Sequence, residues 1–204
     1  MAWCDLDCCI KITEELISAI CKKVAKDCTK ELKLLGRDPK DLLKIKQPFP
    51  RITYTKALEI LEKDKISVEW GKDLRTVEER QLASHYDKPV IVTHYPKAVM
   101  AFYKPRDPKN PKVARCYDVI CPEIGIEIVG GSERDLDIGE LKKSLKAVGA
   151  DIKPYEFYFD TRRYGAVPHS GFGLGVDRLI QWICKLEHIR DAIPFPRTVN
   201  RLEP

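Results

Sequence analysis

Residues 168–178 combine residue types that suit the binding of an anion. Glycine recurs there at every second position, at Gly171, Gly173 and Gly175. Glycines at alternate positions of a strand indicate that a ligand approaches the backbone closely. A helical apolar pattern begins directly afterwards, with Asp177 and Arg178 in its first turn. Because the N-terminus of a helix favours negative charge, this segment predicts a phosphate contact.

The glycine spacing also has a purely structural interpretation. A glycine-rich crossover packed inside a core would show the same pattern, and spacing alone leaves both interpretations open. The segment is not a dinucleotide-binding fingerprint, because that motif requires glycine where this chain has Val176.

A second stretch, residues 118–134, places two carboxylates among apolar strand residues. Alternation puts Glu127 on the face opposite Ile126 and Ile128, where a carboxylate is costly unless it is paired or bound to a metal. Asp118 lies on the preceding predicted strand, and the two side chains could converge across an antiparallel pair. Two carboxylates close to phosphates are a common way of holding Mg²⁺, so the pair predicts a metal site.

The residues after Glu127 favour a small ligand. Gly130-Gly131-Ser132 would leave the backbone open, and Arg134 follows directly beyond. The alternative is the edge of a hairpin, on which Glu127 and Arg134 are solvated or form a salt bridge with each other. The residues alone do not decide between them.

The pattern of helices and strands predicts an α+β fold, an antiparallel sheet flanked by helices. Apolar residues at three- and four-residue steps predict one long helix within 1–35, ended by Gly36. Further helices are predicted after Thr53 or Thr55, from a capping box at Thr76 to about His85, and over 141–148 and 155–163. Short β-branched segments predict consecutive antiparallel strands at 90–95, 101–103, 113–120 and 124–130.

Composition places the chain among ordinary globular proteins. Its 204 residues are 44% hydrophobic and 33% charged, with no evident linker or repeat, so residues 1–204 are expected to form a single domain. The net charge of +5 permits anionic partners without requiring them. The eight cysteines form no CxxC pair and lie apart from the histidines, which argues against zinc. Without an apparent secretory signal, reduced thiols are expected.

Taken together, the two stretches resemble a known family. Glu-Ile-Val-Gly-Gly-Ser-Glu-Arg at 127–134 and Pro-His-Ser-Gly-Phe-Gly-Leu-Gly-Val-Asp-Arg at 168–178 resemble the catalytic domain of asparaginyl-tRNA synthetases, class II enzymes of the archaeal and eukaryotic type. Further segments agree at similar spacing: 49–54, 78–80, 93–96, 101–103, 162–165, 188–191 and 194–198.

The resemblance implies a role for each candidate residue. The arginine matched by Arg178 contacts the γ-phosphate of ATP, and the glutamate matched by Glu127 binds ATP through Mg²⁺, which makes these two the expected catalytic residues. Asp118 corresponds to the companion acid of the Mg²⁺ site. The expected ATP-binding set is Glu127, Gly173, Gly175, Asp177 and Arg178. The expected amino-acid-binding residues are Arg134, which matches an arginine that grips the end of the substrate side chain, and Gly130.

The implied reaction joins asparagine to tRNA in two steps. The asparagine carboxylate attacks the α-phosphate of ATP and releases pyrophosphate, and the asparaginyl group then passes to the terminal ribose of tRNA. The implied cofactors are ATP and Mg²⁺, and the implied partners are asparagine and the tRNA acceptor end. The resemblance further implies a cytoplasmic homodimer in the full-length enzyme, with no membrane partner. This chemistry depends on positioning and charge neutralisation, so it needs no side-chain nucleophile.

The resemblance also implies that motifs 1 and 2 and the anticodon-binding OB-fold of the family lie outside 1–204. The chain is therefore expected to be the C-terminal part of the catalytic domain, and inactive by itself. Three alternatives remain at this point. They are an AMP-forming asparagine synthetase derived from such an enzyme, an aspartyl-tRNA synthetase, and a non-catalytic module that binds ATP or a partner. Gly130-Gly131-Ser132 favours asparagine over aspartate, because aspartyl enzymes usually have a serine-rich segment there.

Overall fold

The strands form one five-stranded sheet in the order β1-β2-β3-β4-β5. In the computed structural model, which describes residues 1–203, the strands are β1 Arg51–Thr53, β2 Val90–Thr93, β3 Cys116–Cys121, β4 Ile126–Glu133 and β5 Ser170–Leu174. The α-helices of the same residues are α1 Leu6–Asp27, α2 Thr29–Leu34, α3 Pro39–Leu43, α4 Tyr54–Lys63, α5 Thr76–Ala83, α6 Ile138–Ala147, α7 Glu156–Arg163 and α8 Val176–Cys184. The α+β class predicted from the sequence is therefore confirmed.

The sheet is mixed rather than wholly antiparallel. The pairs β2–β3, β3–β4 and β4–β5 are antiparallel, as predicted. At the edge, however, β1 runs parallel to β2, so the antiparallel prediction is wrong there. Both α4 and α5 lie between β1 and β2, and a connection of that length lets the chain return in the same direction. β1 has three residues, too few to show an alternating pattern in the sequence.

The strand predicted at 101–103 is a loop. The ammonium of Lys97, in a 3₁₀ turn just before this loop, donates hydrogen bonds to the carbonyls of Phe102 at 3.2 Å and Lys104 at 2.6 Å. Both carbonyls point towards the ammonium of Lys97 instead of towards a neighbouring strand. Aromatic composition predicted a strand here, but the buried lysine determines the local conformation.

The long helix predicted within 1–35 is broken in two. α1 ends at Asp27, Cys28 leaves the helical conformation with φ −114° and ψ 33°, and α2 begins at Thr29. Gly36, at φ +73°, follows the end of α2 as predicted. Both helices keep a buried apolar face, so the apolar spacing continues through the break and does not reveal it.

The N-terminus of α1 also corrects the prediction of reduced thiols. Cys4 and Cys8 form a disulfide, and their Cα atoms lie 5.4 Å apart across the start of the helix. Asp5 caps the same turn by accepting a hydrogen bond from the backbone N–H of Cys8 at 2.9 Å. The other six cysteines are free.

Two predicted helix starts can be compared directly with the structure. Thr53 caps α4 by accepting the N–H of Lys56 at 3.2 Å, which confirms one of the two predicted caps. The capping box at α5 forms one residue earlier than predicted, because the N–H of Arg75 donates to the carboxylate of Glu78 at 3.0 Å.

Hydrophobic residues fill both faces of the sheet. On one face, α1, α3 and α8 cover the strands, with Ile17, Val119 and Trp182 fully buried. On the other face, α4 and α5 pack on Val92 and Ile120. Because both faces are covered, all four residues of β2 are buried. A separate small cluster joins α6 and α7 through Leu141, Leu145 and Phe159.

Tyr117 links the sheet to α1 and requires a glycine opposite it. Its buried hydroxyl is hydrogen-bonded to Thr13 Oγ1 at 2.6 Å, on α1. Gly131 is its direct partner on β4, and the Tyr117 ring lies over the glycine. A Cβ built on Gly131 would come within 2.6 Å of the Tyr117 hydroxyl oxygen and closer still to the ring. The ring has no room to retreat because its hydroxyl is fixed to α1.

We therefore expect Gly131→Ala to lower the free energy of unfolding by about 1–3 kcal/mol, the usual cost of overpacking a well-packed site. Urea denaturation at constant pH would measure the change. Gly173→Ala is the matched control, because a Cβ on Gly173 meets no atom within 4 Å. Equal stability of the two variants would show that the Tyr117 ring does not constrain position 131.

Candidate functional site

The strand register brings the two predicted carboxylates together. Asp118 on β3 is paired with Gly130 on β4, and a bulge at Val119/Ile120 places Glu127 opposite Ile120. A Cβ on Gly130 would lie 3.1 Å from a Glu127 carboxylate oxygen and 3.3 Å from Asp118 Oδ1. The two carboxylates therefore meet over a residue that has no side chain, on the face of the sheet covered by α5.

The surroundings of Asp118 oppose its ionisation. Burial, and next the charge of Glu127, raise the pKa of Asp118 from 3.8 to about 7. The ammonium of Lys104 acts in the opposite direction but does not cancel the effect. A cation at this position would be attracted by both carboxylates.

Glu79 is a third acid at this position, and sequence analysis missed it. Glu79 lies on α5, and burial followed by the charges of Glu127 and Asp118 raises its pKa from 4.5 to about 7. In the sequence, Glu79 looks like an ordinary first-turn helix acid, and nothing links it to strands some 40 residues away. The packing of α5 on the sheet creates the contact.

Arg178 provides the positive charge beside these acids. Its Nη1 donates to the backbone carbonyl of Glu127 at 2.8 Å and to the Glu127 carboxylate at 3.1 Å. The proposed alternative of a salt bridge between Glu127 and Arg134 is therefore wrong. Arg178 is held in place because α8 begins directly after β5, and the N–H of Gly175 donates to the carbonyl of Ile128 at 2.9 Å. The side chain of Arg178 remains 46% exposed, so it is accessible to a ligand.

Glycines form an open floor beside the carboxylates. Gly130 on β4 is paired with Gly173 on β5, so the two lie side by side on one face of the sheet. The space above Gly173 is empty to 4 Å from a built Cβ. The predicted strand with alternate glycines is confirmed for Gly171 and Gly173 on β5, whereas Gly175 lies beyond the strand, at the N-cap of α8. Asp177 is exposed in the first turn of α8, next to this floor.

Arg134 marks the other end of the same surface. Its Nη1 donates to Ser132 Oγ at 3.1 Å, and its guanidinium carbon lies 4.6 Å from the centre of the Tyr103 ring. A Cβ on Gly171 would lie 3.2 Å from Arg134 Nη2, so the guanidinium covers this glycine. The floor therefore has an arginine at each end, with the carboxylates close to Arg178.

A cavity of about 970 Å³ opens between α5, the β3–β4 turn and α8. Its lining includes Glu79, Arg80, Glu127 and Arg178. Of the predicted site residues, only Glu127 and Arg178 line this cavity, so it extends from these two side chains towards the β3–β4 turn rather than over the glycine floor. The cavity is large enough for a nucleotide-sized ligand.

The metal-binding capacity of the site is limited to a few carboxylates. Among residues 1–203, no group of three or more His, Cys, Asp or Glu side chains is arranged to hold a metal ion by itself. This still fits Mg²⁺, which usually takes one or two protein carboxylates and completes its shell with phosphates and water. The convergence of Asp118 and Glu127 over Gly130 supplies such a pair. Separately, no helix in residues 1–203 is long and apolar enough to span a bilayer.

The mixed five-stranded sheet with helices on both faces agrees with the fold expected from the resemblance to class II tRNA synthetases. Comparison with known proteins gives the family directly. The family model described as tRNA synthetases class II (D, K and N) matches residues 1–199, and the chain belongs to this family.

Within the family, the chain is similar to asparagine–tRNA ligases. It is 45% identical over 201 residues to the ligase of Symbiobacterium thermophilum, covering 96% of this chain and 46% of that protein. It is 44% identical over 204 residues to the ligase of Thermoplasma acidophilum, covering 100% of this chain and 48% of that protein. The crystal structure of Pyrococcus horikoshii asparaginyl-tRNA synthetase complexed with asparaginyl-adenylate matches with TM-score 0.96 and 45% identity, covering 100% of this chain and 47% of that one.

The chain thus spans about half the length of the curated relatives it matches. The class of the fold and the family follow from these matches.

The raised pKa of Glu79 predicts a specific pH dependence of stability. The folded protein holds the Glu79 proton more tightly than the unfolded chain, so this stabilisation is complete below pH 4.5 and is lost as the pH rises through about 7. Glu79→Gln removes the buried charge. We expect this variant to be more stable than the wild type at pH 8 by roughly 1–2 kcal/mol, with no difference near pH 4.

Urea denaturation at pH 4, 6 and 8 would measure the difference. Glu62→Gln on the exposed surface of α4 is the control, and it should leave stability unchanged at each pH. A Glu79→Gln variant that is less stable than the wild type at pH 8 would contradict the assignment of Glu79 to the acid cluster.

Proposed function

We propose that this chain forms the ATP- and asparagine-binding part of an enzyme that ligates asparagine to tRNA(Asn) through asparaginyl-adenylate. The observation that carries the proposal is the meeting of Asp118 and Glu127 over Gly130, with Arg178 bound to Glu127. The names of the relatives, and the adenylate bound to the Pyrococcus horikoshii structure, support asparagine and ATP as the substrates. In this proposal, residues 1–204 are a single segment, the C-terminal part of the catalytic domain.

On the nucleotide side, each residue has a defined task. Arg178 is accessible and can release one hydrogen bond to Glu127 in exchange for a phosphate oxygen. Asp118 and Glu127 would hold Mg²⁺, which when bound would neutralise charge on the phosphates. The adenosine would lie over Gly173, where the open floor leaves room for a flat ring, and beside Gly175, which the Arg178 side chain covers. Asp177 lies at the exposed edge of this subsite.

On the amino-acid side, Arg134 has free hydrogen-bond donors. A guanidinium carries five N–H groups, and the only side chain to which it donates within residues 1–203 is Ser132. The remaining donors can bind the terminal oxygen of an asparagine side chain, and Gly130 leaves space beside the carboxylates. Arg134 by itself would suit aspartate equally well, so the choice of asparagine rests on the relatives.

The proposed reaction requires positioning rather than a protein nucleophile. The carboxylate of asparagine attacks the α-phosphorus, the bond to the bridging oxygen of the β-phosphate breaks, and pyrophosphate leaves. The 2′- or 3′-hydroxyl of the terminal ribose of tRNA then attacks the acyl carbon and releases AMP. Arginines aligned with developing negative charge lower the barrier of such steps. The tRNA acceptor end, a homodimeric full-length enzyme and a cytoplasmic location belong to the same proposal.

We expect Arg178→Ala and Glu127→Gln each to weaken the binding of ATP in the presence of Mg²⁺ by at least about tenfold, because the first removes a cation that would pair with the phosphates and the second removes a carboxylate that would hold Mg²⁺. Isothermal titration calorimetry with ATP and excess Mg²⁺ would measure the change. Arg163→Ala is the control, since Arg163 pairs with Glu156 and Asp160 on the exposed surface of α7. Wild-type affinity in both variants would show that the assigned roles are wrong.

A second titration tests the amino-acid specificity. We expect the sulfamoyl analogue of asparaginyl-adenylate to bind at least about tenfold more tightly than its aspartyl counterpart. A site that pairs every hydrogen-bonding group of the side-chain amide leaves some of its own groups unpaired when a carboxylate takes the place of the amide. Arg134→Ala should weaken the asparaginyl analogue and leave ATP affinity unchanged. Preference for the aspartyl analogue would instead identify the aspartyl specificity of the family.

A further inference from the structure

Lys97 is a buried lysine for which the proposed reaction provides no role. The residue is 6% exposed and lies in the 3₁₀ turn that precedes the loop 100–105. Its ammonium donates to three backbone carbonyls, those of Ala101 at 3.5 Å, Phe102 at 3.2 Å and Lys104 at 2.6 Å. No carboxylate in residues 1–203 forms an ion pair with it. Burying an ammonium without an acid partner is costly, which indicates that Lys97 fixes the conformation of the loop whose carbonyls it binds.

The carbonyls bound by Lys97 lie on both sides of Tyr103. Phe102 and Lys104 are the neighbours of Tyr103, and both of their carbonyls point inwards to one ammonium. The carbonyl of Tyr103 itself turns the other way and accepts the N–H of Asp135 at 2.9 Å. Three consecutive peptide groups are therefore fixed, and with them the direction of the Tyr103 side chain.

Tyr103 in turn contacts the arginine of the amino-acid subsite. The Arg134 guanidinium carbon is 4.6 Å from the centre of the Tyr103 ring, within the range of a cation–π contact. Besides this ring, the only side chain that holds Arg134 in the described part of the chain is Ser132, through one hydrogen bond. Without the ring, the guanidinium would be free to rotate away from Gly171.

We propose that Lys97 is a positioning residue for the amino-acid subsite, acting through Tyr103 on Arg134. The ammonium folds the loop, the loop presents the ring, and the ring fixes the guanidinium with its free donors towards the substrate side chain. The inference rests on the proposed function, because it assigns the substrate side chain to Arg134. Arg178 and the carboxylates contact neither Lys97 nor Tyr103, so removal of the Tyr103 ring should affect the amino-acid end of the ligand alone. Removal of Lys97 also releases Lys104, whose ammonium acts on Asp118, so that variant tests the amino-acid end less selectively.

Two variants and their combination test the proposal. Lys97→Met keeps the apolar stem and removes the ammonium, and Tyr103→Leu keeps an apolar side chain and removes the ring. Each should weaken binding of the sulfamoyl analogue of asparaginyl-adenylate by about tenfold, the size of one favourable cation–π contact. The affinity for ATP with Mg²⁺ should be unchanged in Tyr103→Leu, which leaves the contacts of Lys97 with Lys104 in place. Because both residues act through one contact, the losses should not add. The double variant should bind the analogue no more weakly than the single variant that shows the larger loss.

Two controls separate positioning from general destabilisation. Tyr103→Phe keeps the ring and should bind the analogue like the wild type, and Lys26→Met removes an exposed lysine at the C-terminal end of α1. Circular dichroism would verify folding. If Lys97→Met does not fold, the comparison of Tyr103→Leu with Tyr103→Phe decides, and equal affinity of these two variants would overturn the proposal.

The other results have equally definite meanings. A loss of ATP affinity in Tyr103→Leu parallel to its loss of analogue affinity, or multiplied losses in the double variant, would overturn the proposal and leave Lys97 as a general stabiliser of the fold. A wild-type chain that binds neither ATP nor the analogue would overturn the proposed function, and the positioning role with it. Binding of ATP but not of the analogue would overturn the amino-acid subsite while leaving the nucleotide subsite standing.

Discussion

The mutual repulsion of Asp118 and Glu127 is the constraint on which the rest of this site depends. Two carboxylates that meet over Gly130 are unfavourable in the absence of a cation, and the burial of Asp118 increases the cost. The nearby arginine, Arg178, pairs with Glu127 only, and it stays half-exposed. The protein thus keeps an incompletely neutralised acid cluster next to a free guanidinium. Such an arrangement is suited to a ligand that carries both a metal cation and phosphate oxygens.

The two-residue period of the strands lets this unfavourable site coexist with a well-packed core. On β4, Gly130 faces the carboxylates, whereas its neighbour Gly131 faces the opposite side and receives the ring of Tyr117. Tyr117 in turn is fixed to Thr13 on α1. One face of the strand therefore contributes stability, and in the proposed function the other contributes binding. A shift of register by one residue would exchange these roles and destroy both.

The loop 100–105 restrains a positive charge at the proposed amino-acid subsite, and it does so without a carboxylate. There, Lys97 is satisfied by backbone carbonyls rather than by an acid, and within residues 1–203 Arg134 donates to Ser132 without forming an ion pair. An aromatic ring can hold a guanidinium without using its N–H donors, and an acid cannot. Tyr103 therefore restrains Arg134 while leaving its hydrogen-bonding capacity available.

The sequence by itself determined the local features whose cause lies in neighbouring residues. Alternate glycines predicted the strand β5, Thr53 predicted the cap of α4, and the matching motifs predicted the family and the convergence of Asp118 with Glu127. Only the tertiary structure decided the parallel edge strand β1, the break at Cys28, the Cys4–Cys8 disulfide, and the loop at 101–103. Only the structure brought Glu79 to the acid cluster and Lys97 to the loop that carries Tyr103. Periodicity records which face of an element is buried. Which distant side chains then meet on that face depends on how helices and strands pack, and no short window of sequence contains that information.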